Sequence, residues 1–193
     1  MSELPKTEKE KMLAGELYFA ADPELVGLRK NAARLTRLYN ATTEEEGDLR
    51  SRLLQELFGT LGEKATIEPP FRCDYGLNIH SGDRFYLNYN CIILDCCEVR
   101  IGNDVMLGPN VQLYTAYHPT DPQIRLMGLE LAAPIEIGDN VWIGGGTIVC
   151  PGVTIGEHTA IGAGSVVTKN IPANVVAVGN PCRVIRELDS EGN

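Results

Sequence analysis

The sequence predicts a mainly β protein, a parallel β-helix behind an N-terminal α-helical cap, with one long protruding loop. Two observations predict the shaft. Aliphatic residues recur every six positions at Ile137, Ile143, Val149, Ile155, Ile161 and Val167, with Gly138, Gly144, Gly156 and Gly162 directly after four of them. Four residues after each anchor stands Val141, Thr147, Val153, Thr159, Ser165 or Ile171, all small or β-branched. Neither the 3.6-residue helical period nor the two-residue period of an ordinary strand produces a strict six. A coil in which each six-residue unit is one short strand plus one corner does: the anchor points into the shaft, the glycine permits the corner, and three units close one triangular turn. Successive turns then stack at a strand spacing of about 4.8 Å. A third observation, the helix start signals crowded ahead of Gly59, predicts the cap.

From the amino terminus onward, charged and apolar residues first follow a 3.6 period. Thr7 with Glu10 fits a capping box, as does Thr43 with Glu46, and Asp22 before Pro23 is an N-cap with proline in the first turn. Helices are expected over about 7–19, 23–39 and 44–58, with Leu25, Leu28, Leu35, Leu38, Leu49, Leu53 and Leu57 on the buried stripes. Residues 1–60 form the expected cap, because a solenoid otherwise exposes strand edges and an apolar end. The shaft is expected over 61–193. Its register is clear at Ile101, Leu107 and Leu113 and looser at Ile67, Cys73, Ile79, Phe85, Cys91 and Cys97; the four residues from Cys97 to Ile101 predict an irregular corner there. The repeat then stops over about 114–134, a polar and proline-marked loop expected to project outward and to carry a task.

Composition narrows the function classes. The chain has 193 residues and a formal net charge of −9, which opposes nonspecific nucleic-acid binding. A polyanionic ligand therefore needs a local positive patch, and Lys169, Arg183 and Arg186 near the carboxyl end supply a candidate. No apolar run reaches the roughly 18 residues of a membrane span and no leader pattern follows Met1, so a soluble cytoplasmic protein without a membrane partner is expected. Of six cysteines, Cys73, Cys91 and Cys97 fall on anchor positions, where a thiol acts as a small hydrophobe; no Cys-x-x-Cys occurs, and neither a disulfide framework nor a metal site is expected.

Three histidines discriminate between chemistries. His158 reads as an outward corner residue, His80 as structural or groove-lining, and His118 stands at the root of the interrupting loop ahead of Pro119. A metal-dependent hydratase on the same architecture requires about three ligating histidines, usually two close together, and these are 38 and 40 residues apart. A non-catalytic scaffold would retain the repeats alone.

Several stretches go beyond the repeat: Glu68-Pro69-Pro70-Phe71-Arg72-Cys73-Asp74-Tyr75-Gly76, Phe85-Tyr86-Leu87-Asn88-Tyr89-Asn90, Tyr114-Thr115-Ala116-Tyr117-His118-Pro119, Val141-Trp142-Ile143-Gly144-Gly145 and Gly179-Asn180-Pro181-Cys182-Arg183-Val184-Ile185. With Leu13-Ala14-Gly15-Glu16-Leu17-Tyr18 at the start, their order and spacing resemble the maltose and galactoside O-acetyltransferases, the maltose type more closely. The resemblance implies a left-handed β-helix, a homotrimer with sites between subunits, and direct acetyl transfer from acetyl-CoA to a sugar hydroxyl, maltose- or glucose-like. Another small acceptor, such as an amine, serine or an antibiotic, is the alternative.

By the same resemblance His118 would be the general base, because an imidazole with an ordinary value of about 6.5 is mostly neutral at cytoplasmic pH and can accept a hydroxyl proton. Asn88 would donate to a hydroxyl or developing oxyanion, and Glu130 would hold the far nitrogen of His118. Asp95, Asp74, Tyr86 and Arg29 would line the acceptor pocket. Trp142 would flank the pantetheine arm of coenzyme A, with Gly145 and Ala163 leaving backbone groups free to bond it. Thr168, Lys169, Arg183 and Arg186 would meet the nucleotide phosphates, for which planar guanidinium groups are suited.

Overall fold

The computed structural model, which describes residues 5–188, is a parallel β-helix with helices packed on its first coil. The shaft has three faces. Face 1 stacks Thr66–Ile67, Tyr86–Leu87, Met106–Leu107, Trp142–Ile143, Ala160–Ile161 and Val175–Val178. Face 2 stacks Phe71–Cys73, Cys91–Leu94, Gln112–Tyr114, Ile148–Val149 and Val166–Val167. Face 3 stacks Ile79–Ser81, Val99–Ile101, Ile135–Ile137 and Thr154–Ile155. All of these neighbours are parallel, and each coil adds one short strand to every face. Arg183–Glu187 turns back antiparallel along Val175–Val178 and closes the carboxyl end.

The anchors occupy the places the period assigns. Ile137, Ile143, Val149, Ile155, Ile161 and Val167 are buried in one column with the residues two before them, where Val141, Thr147, Val153, Thr159 and Ser165 also point inward. The glycines after the anchors serve close stacking more than unusual torsion. A Cβ on Gly144 would lie 2.5 Å from the Ala163 amide of the next coil, whereas the left-handed torsion falls two residues later, on Gly146 at φ +70°.

The early register departs from expectation in an informative way. Ile67 and Cys73 align with Leu87 and Ile93, but Ser81, not Ile79, aligns with Ile101. Cys73 to Ser81 and Ile93 to Ile101 are therefore eight residues each, and Leu113 to Ile137 is twenty-four, all at the corner from face 2 to face 3. The other two corners keep the six-residue step. A strict period of six thus misplaces the slip, which begins at residues 74–78 and recurs at 94–98. Cys97 is not a shaft anchor: it lies in a separate buried cluster with Met12, Tyr18, Leu25, Tyr75, Cys96 and Ala132.

The helices are shorter at the start than the pattern predicts. α1 runs Glu8–Leu13 with the expected Thr7–Glu10 capping box, and the chain then leaves the helix at Ala14–Gly15. Tyr18–Phe19, read from sequence as helical, is a strand paired with Leu129–Ala132 of the loop. α2 spans Pro23–Asn40 behind its Asp22 cap, as expected. α3 spans Gly47–Leu57, so residues 44–46 lie outside it; the Thr43–Glu46 pair closes a turn instead, with the Glu46 carboxylate accepting the Thr43 N–H at 2.7 Å. Leu35, Tyr39, Leu53, Leu54 and Leu57 of the two long helices join the shaft in one continuous core, whereas Leu25 is buried in a second cluster and Leu38, expected on the buried stripe, lies on the solvent side of α2, 45% exposed. Asn40 also covers the strand edge: its amide accepts the Phe71 N–H at 2.9 Å and donates to the Phe71 carbonyl at 2.8 Å.

Candidate active site

The widened corner between faces 2 and 3 supplies one half of the candidate site. Its loop forms a hairpin in which Ala116–Tyr117 pairs antiparallel with Leu129–Ala132, while Tyr18–Phe19 pairs with the other edge of that strand. The short helix α4, Pro122–Leu126, lies between the hairpin strands behind an Asp121 cap. His118 follows the first strand, exposed to solvent, and makes no hydrogen bond among the described residues. Glu130 sits mid-strand, half-buried, and accepts the Tyr18 hydroxyl on Oε2 at 2.8 Å. The expected Glu130–His118 hydrogen bond is not formed, although the register Ala116↔Ala132, Tyr117↔Leu131 extends to place His118 opposite Glu130.

Asp74 is half-buried at the same corner, next to Cys96, whose thiol lies 3.5 Å from Oδ2. Burial raises the Asp74 carboxyl above its ordinary value, the Cys96 contact and the nearby Arg29 charge oppose that, and the Glu130 charge adds to it. Arg29 reaches down from α2, donating to the Tyr75 hydroxyl and, at 2.6 Å, to the Ala20 carbonyl. Asp95 is a correction to its expected place on the sugar side. Its side chain is wholly buried and its carboxylate accepts the N–H groups of Asp74, Tyr75 and Asn78 at 3.1, 2.8 and 3.3 Å. It fastens the two extra residues of one coil to the next and leaves no surface for a ligand. Cysteine nucleophiles are disfavoured here, because burial drives Cys96 well above its ordinary value and Cys91 up to about 11.

The other half lies at the corner from face 1 to face 2. Asn88 is half-buried there, with Oδ1 accepting the Tyr89 N–H at 2.8 Å and its amide nitrogen unengaged among the described residues. Tyr86 points outward on face 1 in one row with Met106 and Trp142, which is 55% exposed. Gly145 and Ala163 stack at this corner on successive coils. Their amide N–H groups have no partner among the described residues, while the Gly145 carbonyl is already taken by the Gly164 N–H at 2.9 Å. Two aligned free donors suit the carbonyl oxygens of an extended amide-containing arm. Thr168, Lys169, Arg183 and Arg186 are exposed at the carboxyl end of the shaft, and no described carboxylate pairs with the three cations.

The predicted residues therefore fall into two groups that one chain does not unite. His118, Glu130, Asp74 and Arg29 are at one corner, while Asn88, Tyr86, Trp142, Gly145 and Ala163 are at the other. Face 2 separates them, and at about 3.3 Å per extended residue the five steps from Asn90 to Asp95 span roughly 16 Å. A groove of about 760 Å³ runs along face 3 past His80, Arg100 and Glu136 and contains none of these residues. His80 lines it, bonded to Thr60 at 3.1 Å, and His158 is an exposed corner residue bonded to Asn140 at 3.1 Å.

Residues 11–62 match the maltose acetyltransferase hexapeptide capping motif, and residues 134–169 match the bacterial transferase hexapeptide of six repeats. A maltose O-acetyltransferase structure from Clostridium difficile is 57% identical, superimposes with a TM-score of 0.95, and covers 96% of this chain and 99% of its own. The chain belongs to the maltose and galactoside O-acetyltransferase family. The galactoside O-acetyltransferase of Escherichia coli is 45% identical over 96% of this chain and 91% of its own. A galactoside acetyltransferase solved in complex with coenzyme A is 44% identical, with a TM-score of 0.92 over 96% of this chain and 92% of its own. This member is an acyltransferase, and its hairpin lies within the interruption of the repeat over 114–134, while the two-residue widening of the same corner in the earlier coils is what repeat spacing alone did not place. No local sequence signal marks Tyr18 or Cys96: Tyr18 continues the apolar pattern of α1, and Cys96 lies in the continuous buried run 95–97.

Proposed function

We propose that this protein transfers an acetyl group from acetyl-CoA to a hydroxyl of a maltose- or glucose-like sugar, in a site formed between two copies of the chain. The observation that carries the proposal is the split of the candidate residues between two corners. One copy supplies His118 and the hairpin, and the adjacent copy supplies Asn88, Trp142 and the free N–H donors of Gly145 and Ala163. A homotrimer around a threefold axis joins three such pairs.

In this arrangement the pantetheine arm lies along the stacked N–H donors beside Trp142, and Lys169, Arg183 and Arg186 neutralise the nucleotide phosphates. The acceptor binds against Tyr86, Arg29 and the Asp74 carboxylate. The His118 imidazole takes the proton of the sugar hydroxyl as its oxygen attacks the thioester carbonyl. The Asn88 amide donates to the oxygen on which negative charge develops; as the C–S bond breaks, the protonated His118 returns that proton to the departing sulfur, and coenzyme A leaves as the thiol without an acyl-enzyme. The high values of the buried thiols favour this direct route over an acyl-cysteine.

A thiol-release assay across maltose, glucose, galactosides, amines, serine and chloramphenicol tests the assignment. Turnover with glucosyl sugars ahead of galactosides is expected; turnover restricted to an amine would overturn the sugar acceptor.

A further inference from the structure

Tyr18 is wholly buried among Met12, Leu25, Tyr75 and Cys96, yet its hydroxyl is turned to a carboxylate of the loop. The three-stranded sheet explains the placement. Tyr18 is directly opposite Glu130 on one side, and the hairpin register continued by one residue sets His118 opposite Glu130 on the other. Directly opposed residues of antiparallel strands project to the same side. Tyr18, Glu130 and His118 therefore form one row across the sheet. Oε2 of Glu130 receives the phenol, while Oε1 has no partner among the described residues.

The charges around Glu130 make such a tether necessary. Asp74 lies close enough at the shaft corner for the two carboxylates to repel, with Arg29 near Asp74, and the Cys96 thiol is beside Tyr18. From α1, Lys11 pairs with Glu8 at 2.6 Å and Lys9 with Glu24 at 4.0 Å, so neither cation pairs with Glu130. Burial first, then its acidic neighbours, pushes the Tyr18 hydroxyl far above its ordinary value, so it remains a donor at any working pH.

We infer that Tyr18 is a positioning residue whose buried hydroxyl pins Oε2 of Glu130 and holds Oε1, unbonded in this structure, where the His118 imidazole opposite it on the hairpin can turn to donate its N–H. That hydrogen bond fixes the tautomer whose other nitrogen receives the acceptor's hydroxyl proton. The inference rests on His118 as the base proposed above. It also gives the strand at Tyr18–Phe19 a task, since the N-terminal segment then sets the geometry of a residue it does not touch.

With only three histidines in the chain, nitrogen NMR of protein labelled at histidine reads the tautomer directly, the His118 signals being identified by their absence in His118→Ala. One tautomer is expected in the wild type. Tyr18→Phe, which keeps the buried ring, and Glu130→Gln should each shift the His118 signals while those of His80 and His158 stay in place. Unmoved His118 signals in either folded variant would overturn the inference. In acetyl transfer, Tyr18→Phe should lower kcat about tenfold, the loss of roughly one hydrogen bond to a charged group, with KM for acetyl-CoA unchanged. The Tyr18→Phe, Glu130→Gln double variant should be no slower than Glu130→Gln alone, because the two act through one contact. Additive losses would assign Tyr18 to packing. A wild type that transfers to no hydroxyl, with His118 signals that still respond to Tyr18→Phe, would remove the proposed acceptor and leave the tether standing.

Discussion

His118 is exposed and bonded to nothing else among the described residues, so replacing it probes chemistry without opening a core. His118→Ala should lower kcat by about 10² to 10⁴, the usual worth of a general base, while calorimetry shows coenzyme A affinity unchanged. Asp95 is the opposite kind of residue. Burial pushes its carboxyl up to about 7, against the pull of the backbone N–H groups of Tyr75 and Asn78. An unfolded aspartate titrates near about 3.9. Because the folded value is the higher one, the stabilisation is complete below the unfolded value and is lost as pH rises through about 7. The unfolding free energy contributed at this residue should therefore fall between about pH 4 and 7. Asp95→Asn should flatten that part of a denaturation series and cost about 1–3 kcal/mol, since its amide turns a donor toward the backbone N–H groups it now satisfies.

The coil and the helix respond oppositely to one added methyl. At Gly144 a Cβ meets the Ala163 backbone at 2.5 Å, so Gly144→Ala must spread two coils and should destabilise by roughly 1–3 kcal/mol. At Gly27, inside α2, an added methyl would meet nothing within 4 Å, and Gly27→Ala should stabilise by about 0.5–1 kcal/mol through helix propensity alone. Urea midpoints moving in opposite directions would confirm both; equal shifts would reject the close-stacking account. The same tight stacking explains why the irregular residues gather at one corner. A corner held by glycine against the next backbone has no room for insertion, whereas the corner from face 2 to face 3 widens by two residues in successive coils and then accepts a hairpin.

Two of the three outer faces carry apolar side chains. Tyr86, Met106 and Trp142 line face 1, and Ile92, Ile148 and Val166 line face 2 with Arg72 and Gln112 between and beside them, while His80, Arg100, Glu136 and Thr154 line face 3. Association through faces 1 and 2 would bring the two half-sites together. Light scattering should give a three-chain mass at micromolar concentration, and a fully active monomer would reject the shared site. The donor end is tested separately. Lys169→Ala and Arg183→Ala should raise KM for acetyl-CoA more than they lower kcat, because a phosphate contact holds ground and transition states alike. The defect should shrink with a donor truncated to its pantetheine portion; an undiminished defect would assign both residues to folding or assembly.

The six-residue period determined the shaft, its three-sided coil and most of its core, because a repeat that returns the same side chain to the same place leaves a direct mark on the chain. The family resemblance named His118, Asn88 and the cationic end as candidates, by number. Helix signals determined α2 but overran α1, since Leu17, Tyr18 and Phe19 continue an apolar pattern that only a partner strand converts to β. Cys97 fell on the period by coincidence and belongs to another cluster. What the tertiary structure decided is everything that depends on residues far apart: Tyr18 beside Glu130, separated by 112 residues, and Asp95 bonding a corner about twenty residues earlier. No local spacing encodes a buried carboxylate's partners. They are fixed when two coils and a hairpin close over it, and the cost of leaving such a group unpaired selects the arrangement in which it is not.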